Sequence, residues 1–187
     1  MGLVNVDEMG LFYKALPSKI LTYKGEMCSG EKRSKERITM LVGANMDSCE
    51  KLKSIVVGKW KHPRSFKGTQ QLPVSYYAKS KAWMTRTIFE NWLKEDDAKC
   101  ARQKRNAVFI VENSPVHSHV IGLKSITIKF LAANTTAVIQ PMDQGVIQNL
   151  KVLYSRQLLH RMLLCAGNNK DYCMNLLSAF LILTHAW

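Results

Sequence analysis

The chain has 187 residues, 47% of them hydrophobic, which suits one domain with a sizeable core. A formal net charge of +13 and a pI near 9.7 set it apart from ordinary cytosolic enzymes and point to a polyanionic partner, nucleic acid before membrane. Five scattered cysteines (Cys28, Cys49, Cys100, Cys165, Cys173) form no Cys-x-x-Cys pair, which argues against a disulfide framework or zinc site and for a reducing compartment.

Met1 to Leu16 lacks the basic and apolar regions of a secretory signal. Instead, Gly2–Phe12 reads as a Val/Leu-rich strand carrying Asp7 and ending near Gly10. Pro17–Gly30 reads as a turn or irregular hairpin, and Glu31–Arg37 as a solvated loop of alternating sign. Ile38–Ala44 and Lys53–Gly58 are apolar and β-branched around the polar Met46–Glu50, the pattern of an antiparallel hairpin. With the Asp7 strand they make three neighbouring strands.

Lys59–Lys67 interleaves Trp60 and Phe66 with Lys59, Lys61, Arg64 and Lys67. The aromatics either stack on unpaired bases while the cations neutralise phosphates, or pack back onto the sheet. Residues 81–95 read as an amphipathic helix whose aromatic stripe, Trp83, Phe89 and Trp92, packs in the core. Lys99–Arg105, with Arg102, Lys104 and Arg105, is a basic connector: a phosphate contact, part of a nuclear import signal, or a plain solvated loop.

Val108–Val111 reads as a strand buried on both faces, which Pro115 prevents from continuing. Glu112 and Asn113 therefore fall at its carboxyl end, where the carboxylate either caps the next helix or holds something positive. Ser125–Leu131 alternates like another strand. Asp143 follows Pro141 at the opening of a long helix, whose apolar face is marked by Ile147, Leu150, Tyr154, Leu158, Met162 and Cys165 up to Gly167. A final helix covers about 171–185; its apolar run, Cys173–Leu183, is too short to span a bilayer, so no membrane association is expected.

Asp7, Glu112 and Asp143 are thus three carboxylates at the edges of buried elements, far apart in sequence. That is the donor chemistry a magnesium-dependent nuclease or strand-transfer site requires. No Gly-rich phosphate loop, Gly-x-Ser-x-Gly elbow or His-Glu-x-x-His motif supports an NTPase, esterase or zinc-protease reading.

Asn5–Pro17, Val111–His117 and Gln140–Ile147, together with Tyr77–Leu93, resemble the DDE-type nuclease domain of pogo/Tigger transposases and their domesticated descendants, over roughly residues 3–187. The resemblance implies an α/β fold, a ribonuclease H-like mixed five-stranded sheet flanked by helices, as a single domain over 1–187. It implies that Asp7, Glu112 and Asp143 are catalytic and hold Mg2+ or Mn2+. Asn113 and Gln144 would orient the carboxylates, while His117 would contact substrate or serve as a helix N-terminal residue. The family normally has aspartate at the second acidic position; Glu112 keeps the charge but adds a methylene, which magnesium's octahedral demands tolerate poorly.

The expectation that follows is a nuclear protein that binds DNA without sequence preference and whose DDE site is weak or inactive. The alternatives are a residual Mg-dependent endonuclease or strand transferase, and a non-catalytic protein-interaction scaffold. Nothing resembles the helix-turn-helix domains that precede such nuclease domains in full-length relatives, so the chain is expected to be a truncated form. The sequence specifies neither protein partners nor oligomeric state.

Overall fold

The structure, a computed structural model, describes residues 2–15, 34, 36–117, 120–133 and 135–187. The turn expected over Pro17–Gly30, and most of the Glu31–Arg37 loop, lie outside the described residues. The strands are β1 (Gly2–Phe12), β2 (Arg37–Asn45), β3 (Ile55–Gly58), β4 (Ser75–Ala78), β5 (Ala107–Val111) and β6 (Ile126–Phe130). They form one mixed sheet in the order β4-β3-β2-β1-β5-β6. β1, β2 and β3 pair antiparallel, as the hairpin pattern indicates, whereas β5 joins β1, β6 joins β5 and β4 joins β3 in parallel.

The sheet has six strands rather than five. The added one, Ser75–Ala78, is short and half-buried throughout, so neither an apolar run nor clean alternation announces it. The aromatic helix also begins later than expected. α1 spans Arg86–Arg102, with Thr85 Oγ1 accepting from the Ile88 amide at its start. Trp83 consequently lies ahead of the helix and is 59% exposed, not packed in the core; Ile88, Phe89, Trp92 and Leu93 form the buried face. Lys99 and Arg102, expected in a connector, occupy the last helical turn.

After β6 come a single turn α2 (Thr136–Ile139), a wide turn over Met142–Val146, then α3 (Ile147–Gly167) and α4 (Leu176–Ala186), which Asn175 caps by accepting from the Ser178 amide. The alternation of β1 divides the interior into two cores. Met9 and Leu11, with Met40 and Val42, face Leu150, Tyr154 and Leu158 of α3 and Phe180 of α4. Val4 and Val6, with Leu41, Ile55 and Val57, face Phe89, Trp92 and Leu93 of α1.

Asp97 ties α1 to the sheet. Its buried carboxylate accepts from the backbone amides of Lys124, Ser125 and Ile126 at the start of β6. Burial pushes its pKa up, but those three donors outweigh it and hold the acid below its usual range.

Candidate active site

Parallel pairing of β1 with β5 matches Asn5 with Ile110. Two residues further along each chain stand Asp7, still within β1, and Glu112, just past the end of β5. Both continue the face that carries Asn5, toward α3. Asp143 reaches the same region from the Met142–Val146 turn. The chain bends sharply after it, with Gly145 at φ +104°, a conformation that suits a residue without Cβ.

A buried amide pair holds this turn on the sheet. Asn5 Nδ2 donates to Gln140 Oε1 (2.9 Å) and to the Ile110 carbonyl (3.2 Å), while Asn5 Oδ1 accepts from the Met142 amide (3.0 Å). Gln140 Nε2 donates to the Val6 carbonyl (3.2 Å). Thus β1, β5 and the segment before Asp143 meet at one side chain. Neither Asn5 nor Gln140 was among the predicted site residues. The available signal was position: each lies two or three residues before an acidic residue, and Asn5 shares Asp7's strand face.

Asp7 is buried at 5% exposure. Its Oδ1 accepts from the Glu8 amide (2.7 Å), and its buried Oδ2 has no hydrogen-bond partner among the described residues. Burial first, with the charges of Asp143 and Glu112 adding to it, raises its pKa to about 7, against the lowering effect of the Glu8 amide and the nearby Gln140 side chain. Glu112 is half-buried and Asp143 exposed. Asp7 therefore senses both other acids, and its buried Oδ2 is the kind of oxygen that a hard cation would take. They are not gathered into a ready-made cage: among the described residues, no group of three or more His, Cys, Asp or Glu side chains is placed to hold a metal ion.

His117 and Glu8 occupy the opposite face. His117 ends a short 3-10 turn, Pro115–His117, and is 1% exposed. Its Nε2 lies 2.8 Å from Glu8 Oε1, its Nδ1 3.3 Å from the Glu112 carbonyl, and its ring centroid 4.5 Å from that of Phe89, tilted by 44°. Burial pulls its pKa down, but the Glu8 carboxylate and the Glu112 carbonyl outweigh this and set it above the ordinary value. His117 thus braces the loop holding Glu112 from behind the sheet. Asn113 is exposed, and Gln144 Nε2 donates to the Val138 carbonyl of α2 (3.0 Å); the amide beside Asp7 belongs to Gln140.

The two basic clusters lie at opposite ends of the sheet. Lys59–Lys67 follows the carboxyl end of β3, which runs parallel to β1, so it shares the end toward which Glu112 points. Lys59, Trp60, Lys61, Arg64 and Lys67 are exposed there. Phe66 instead packs inward, with ring centroids 5.1 Å from Tyr76 and 5.6 Å from Phe180. Arg102, Lys104 and Arg105 lie near the amino end of β5, and Arg105 is engaged with both carboxylate oxygens of Glu50. An apolar cavity of about 750 Å3 lies beneath the Asn5 clamp, lined by Leu3, Met46, Ile110 and Leu150, and none of the three acids lines it.

The family model described as DDE superfamily endonuclease matches residues 35–187. The chain is 42% identical over its whole length to Tigger transposable element-derived protein 4 of Mus musculus, of which it covers 36%. It is 32% identical to the Jerky protein homolog of Homo sapiens, over 91% of this chain and 32% of that protein. The chain spans about a third of the length of these curated relatives. Among solved structures, the Mos1 transposase paired-end complex with left transposon end matches 98% of this chain and 51% of its own, with a TM-score of 0.53 at 12% identity, a likeness of fold. The chain belongs to the DDE superfamily endonuclease family, in its Tigger-like, transposase-derived group.

Proposed function

We propose that this protein binds DNA through its backbone, without sequence preference, in the nucleus, and that its acidic site turns over slowly or not at all. The observation that carries the reading is the excess of 13 positive charges, with an exposed basic cluster past the carboxyl end of β3, in the direction in which β5 runs toward Glu112. Relatives named Major centromere autoantigen B (30% identical) and ARS-binding protein 1 (29%) support a chromosomal setting. Cations on a polyanion release counterions, so affinity must fall steeply with salt. A duplex-DNA titration over increasing ionic strength tests this; affinity indifferent to salt rejects it.

A second reading, residual metal-dependent strand cleavage, is favoured by one feature: the buried Asp7 Oδ2 has no hydrogen-bond partner among the described residues, and Asp7 feels the charges of Asp143 and Glu112. Asp7, Glu112 and Asp143 would hold Mg2+ or Mn2+, which supplies activation of the attacking oxygen and charge stabilisation at the scissile phosphate. The chain's own part is to keep Asp7 in place through Asn5 and Gln140, and Glu112 through the His117 brace. A nicking assay beside Asp7→Ala decides: equal activity in both proteins dismisses this site as its source.

A further inference from the structure

We propose that a cleft where β1 and β3 end and β2 begins is a subsite for an unpaired nucleobase, so that this surface prefers single-stranded over duplex DNA. This deepens the DNA-binding reading above and rests on it.

The cleft has a volume of about 290 Å3, at the small end of ligand pockets. It is lined by Lys59, Trp60, Arg37 and Lys81, together with Tyr13 and Ala82. Trp60, which lines the cleft, is 57% exposed; Trp83, reached through the lining Arg37, is 59% exposed, an unusual state for side chains whose burial is worth so much. Each indole is already paired with a cation: Lys59 Nζ lies 5.1 Å from the Trp60 ring centroid and the Arg37 guanidinium 5.3 Å from that of Trp83. An aromatic plane beside a cation is the unit that stacks a base and neutralises the adjoining phosphate.

The backbone is shaped for the same purpose. Ala82 is buried with φ +52°, a conformation costly for a residue with Cβ, and it sits between exposed Lys81 and exposed Trp83. Gly10 leaves the space that the Arg37 guanidinium occupies; a Cβ there would stand 2.7 Å from it. Among the described residues, the acid lining the cleft is Glu36; it is engaged by Tyr13 and Lys14, while Lys59, Arg37 and Lys81 carry positive charge there.

A duplex hides its base faces, whereas a single strand offers them, so the two substrates separate stacking from phosphate attraction. The test uses the 187-residue chain with a short oligo(dT) and a duplex of equal length, read by tryptophan fluorescence and anisotropy. Oligo(dT) is expected to quench the fluorescence. Trp60→Ala and Trp83→Ala are expected to weaken oligo(dT) binding roughly tenfold each, with duplex affinity and melting temperature unchanged and Trp60→Phe restoring most of the loss. Equal affinity of both variants and the parent for oligo(dT), or equal losses on duplex and single strand, overturns the subsite while leaving salt-dependent duplex binding intact. If the parent chain binds neither substrate, the broader reading falls with it.

Discussion

Asn5 and Gln140 stand 135 residues apart in sequence and 2.9 Å apart in space, both buried, and their contact joins the strand of Asp7 to the turn of Asp143. Each amide also meets backbone groups, so removing one side chain orphans several buried partners at once. Asn5→Ala is expected to destabilise the fold by roughly 2–4 kcal/mol, measured by urea denaturation. Asn5→Asp should cost no less, because it adds a fourth acid beside Asp7 and loses the donor to Gln140.

Asp7 makes a distinct prediction about pH. Its folded pKa, about 7, lies above the unfolded value of 3.8, so the folded state holds the proton more tightly. The contribution to stability is fully present below the unfolded value and is lost as pH rises through about 7. In EDTA, Asp7→Asn is therefore expected to be more stable than the parent at pH 8, by roughly 1–4 kcal/mol, and to match it near pH 4. Thermal melts at the two pH values measure this. Magnesium should raise the parent's melting temperature at pH 8 and leave that of Asp7→Asn unmoved.

Glu112 offers a test by shortening. If an extra methylene misplaces the second carboxylate, Glu112→Asp should increase Mg-dependent nicking on the order of tenfold or more, since small displacements cost large factors in rate. Adding Asp7→Ala to that variant should abolish the gain. Nicking unchanged by Glu112→Asp would place the limitation elsewhere in the site.

Asp97 is a stability residue whose effect should be independent of the acidic site. Asp97→Asn retains the shape but weakens three charge-assisted bonds at the start of β6. A loss of roughly 2–3 kcal/mol is expected at pH 7. Its folded pKa lies below the unfolded one, so this contribution is present above the unfolded value and disappears as pH falls through the folded value. Denaturation curves at pH 7 and pH 3 measure the difference.

The strands legible beforehand were those whose burial leaves a compositional trace. Val108–Val111 and Ile38–Ala44 are apolar runs because both their faces are covered, and the long stripe of α3 follows from a single buried side. Ser75–Ala78 left no trace, being half-buried at the sheet edge, and Trp83 misled because aromatic spacing resembles a core stripe whether or not the ring is covered. The three acids draw notice by lying in or beside apolar elements: Asp7 midway along β1, Glu112 just past β5 and Asp143 ahead of α3. Asn5 and Gln140 could not, because an amide's importance lies in the partners that the fold delivers from elsewhere. The contrast between the two basic clusters was equally hidden: only the strand directions place Lys59–Lys67 and Arg102–Arg105 at opposite ends.

The division of β1 between two cores has one more effect. Because neighbours along a strand look to opposite sides, Asp7 meets the other acids while Glu8 meets His117. A slip of this strand by a single position would thrust Asp7 against Phe89 and bring Glu8 to face Asp143, leaving a charge stranded among rings and a histidine without its mate. Two adjacent acids of unlike assignment thus act as a lock on alignment: hydrophobic residues alone would forgive that error, and this pair does not.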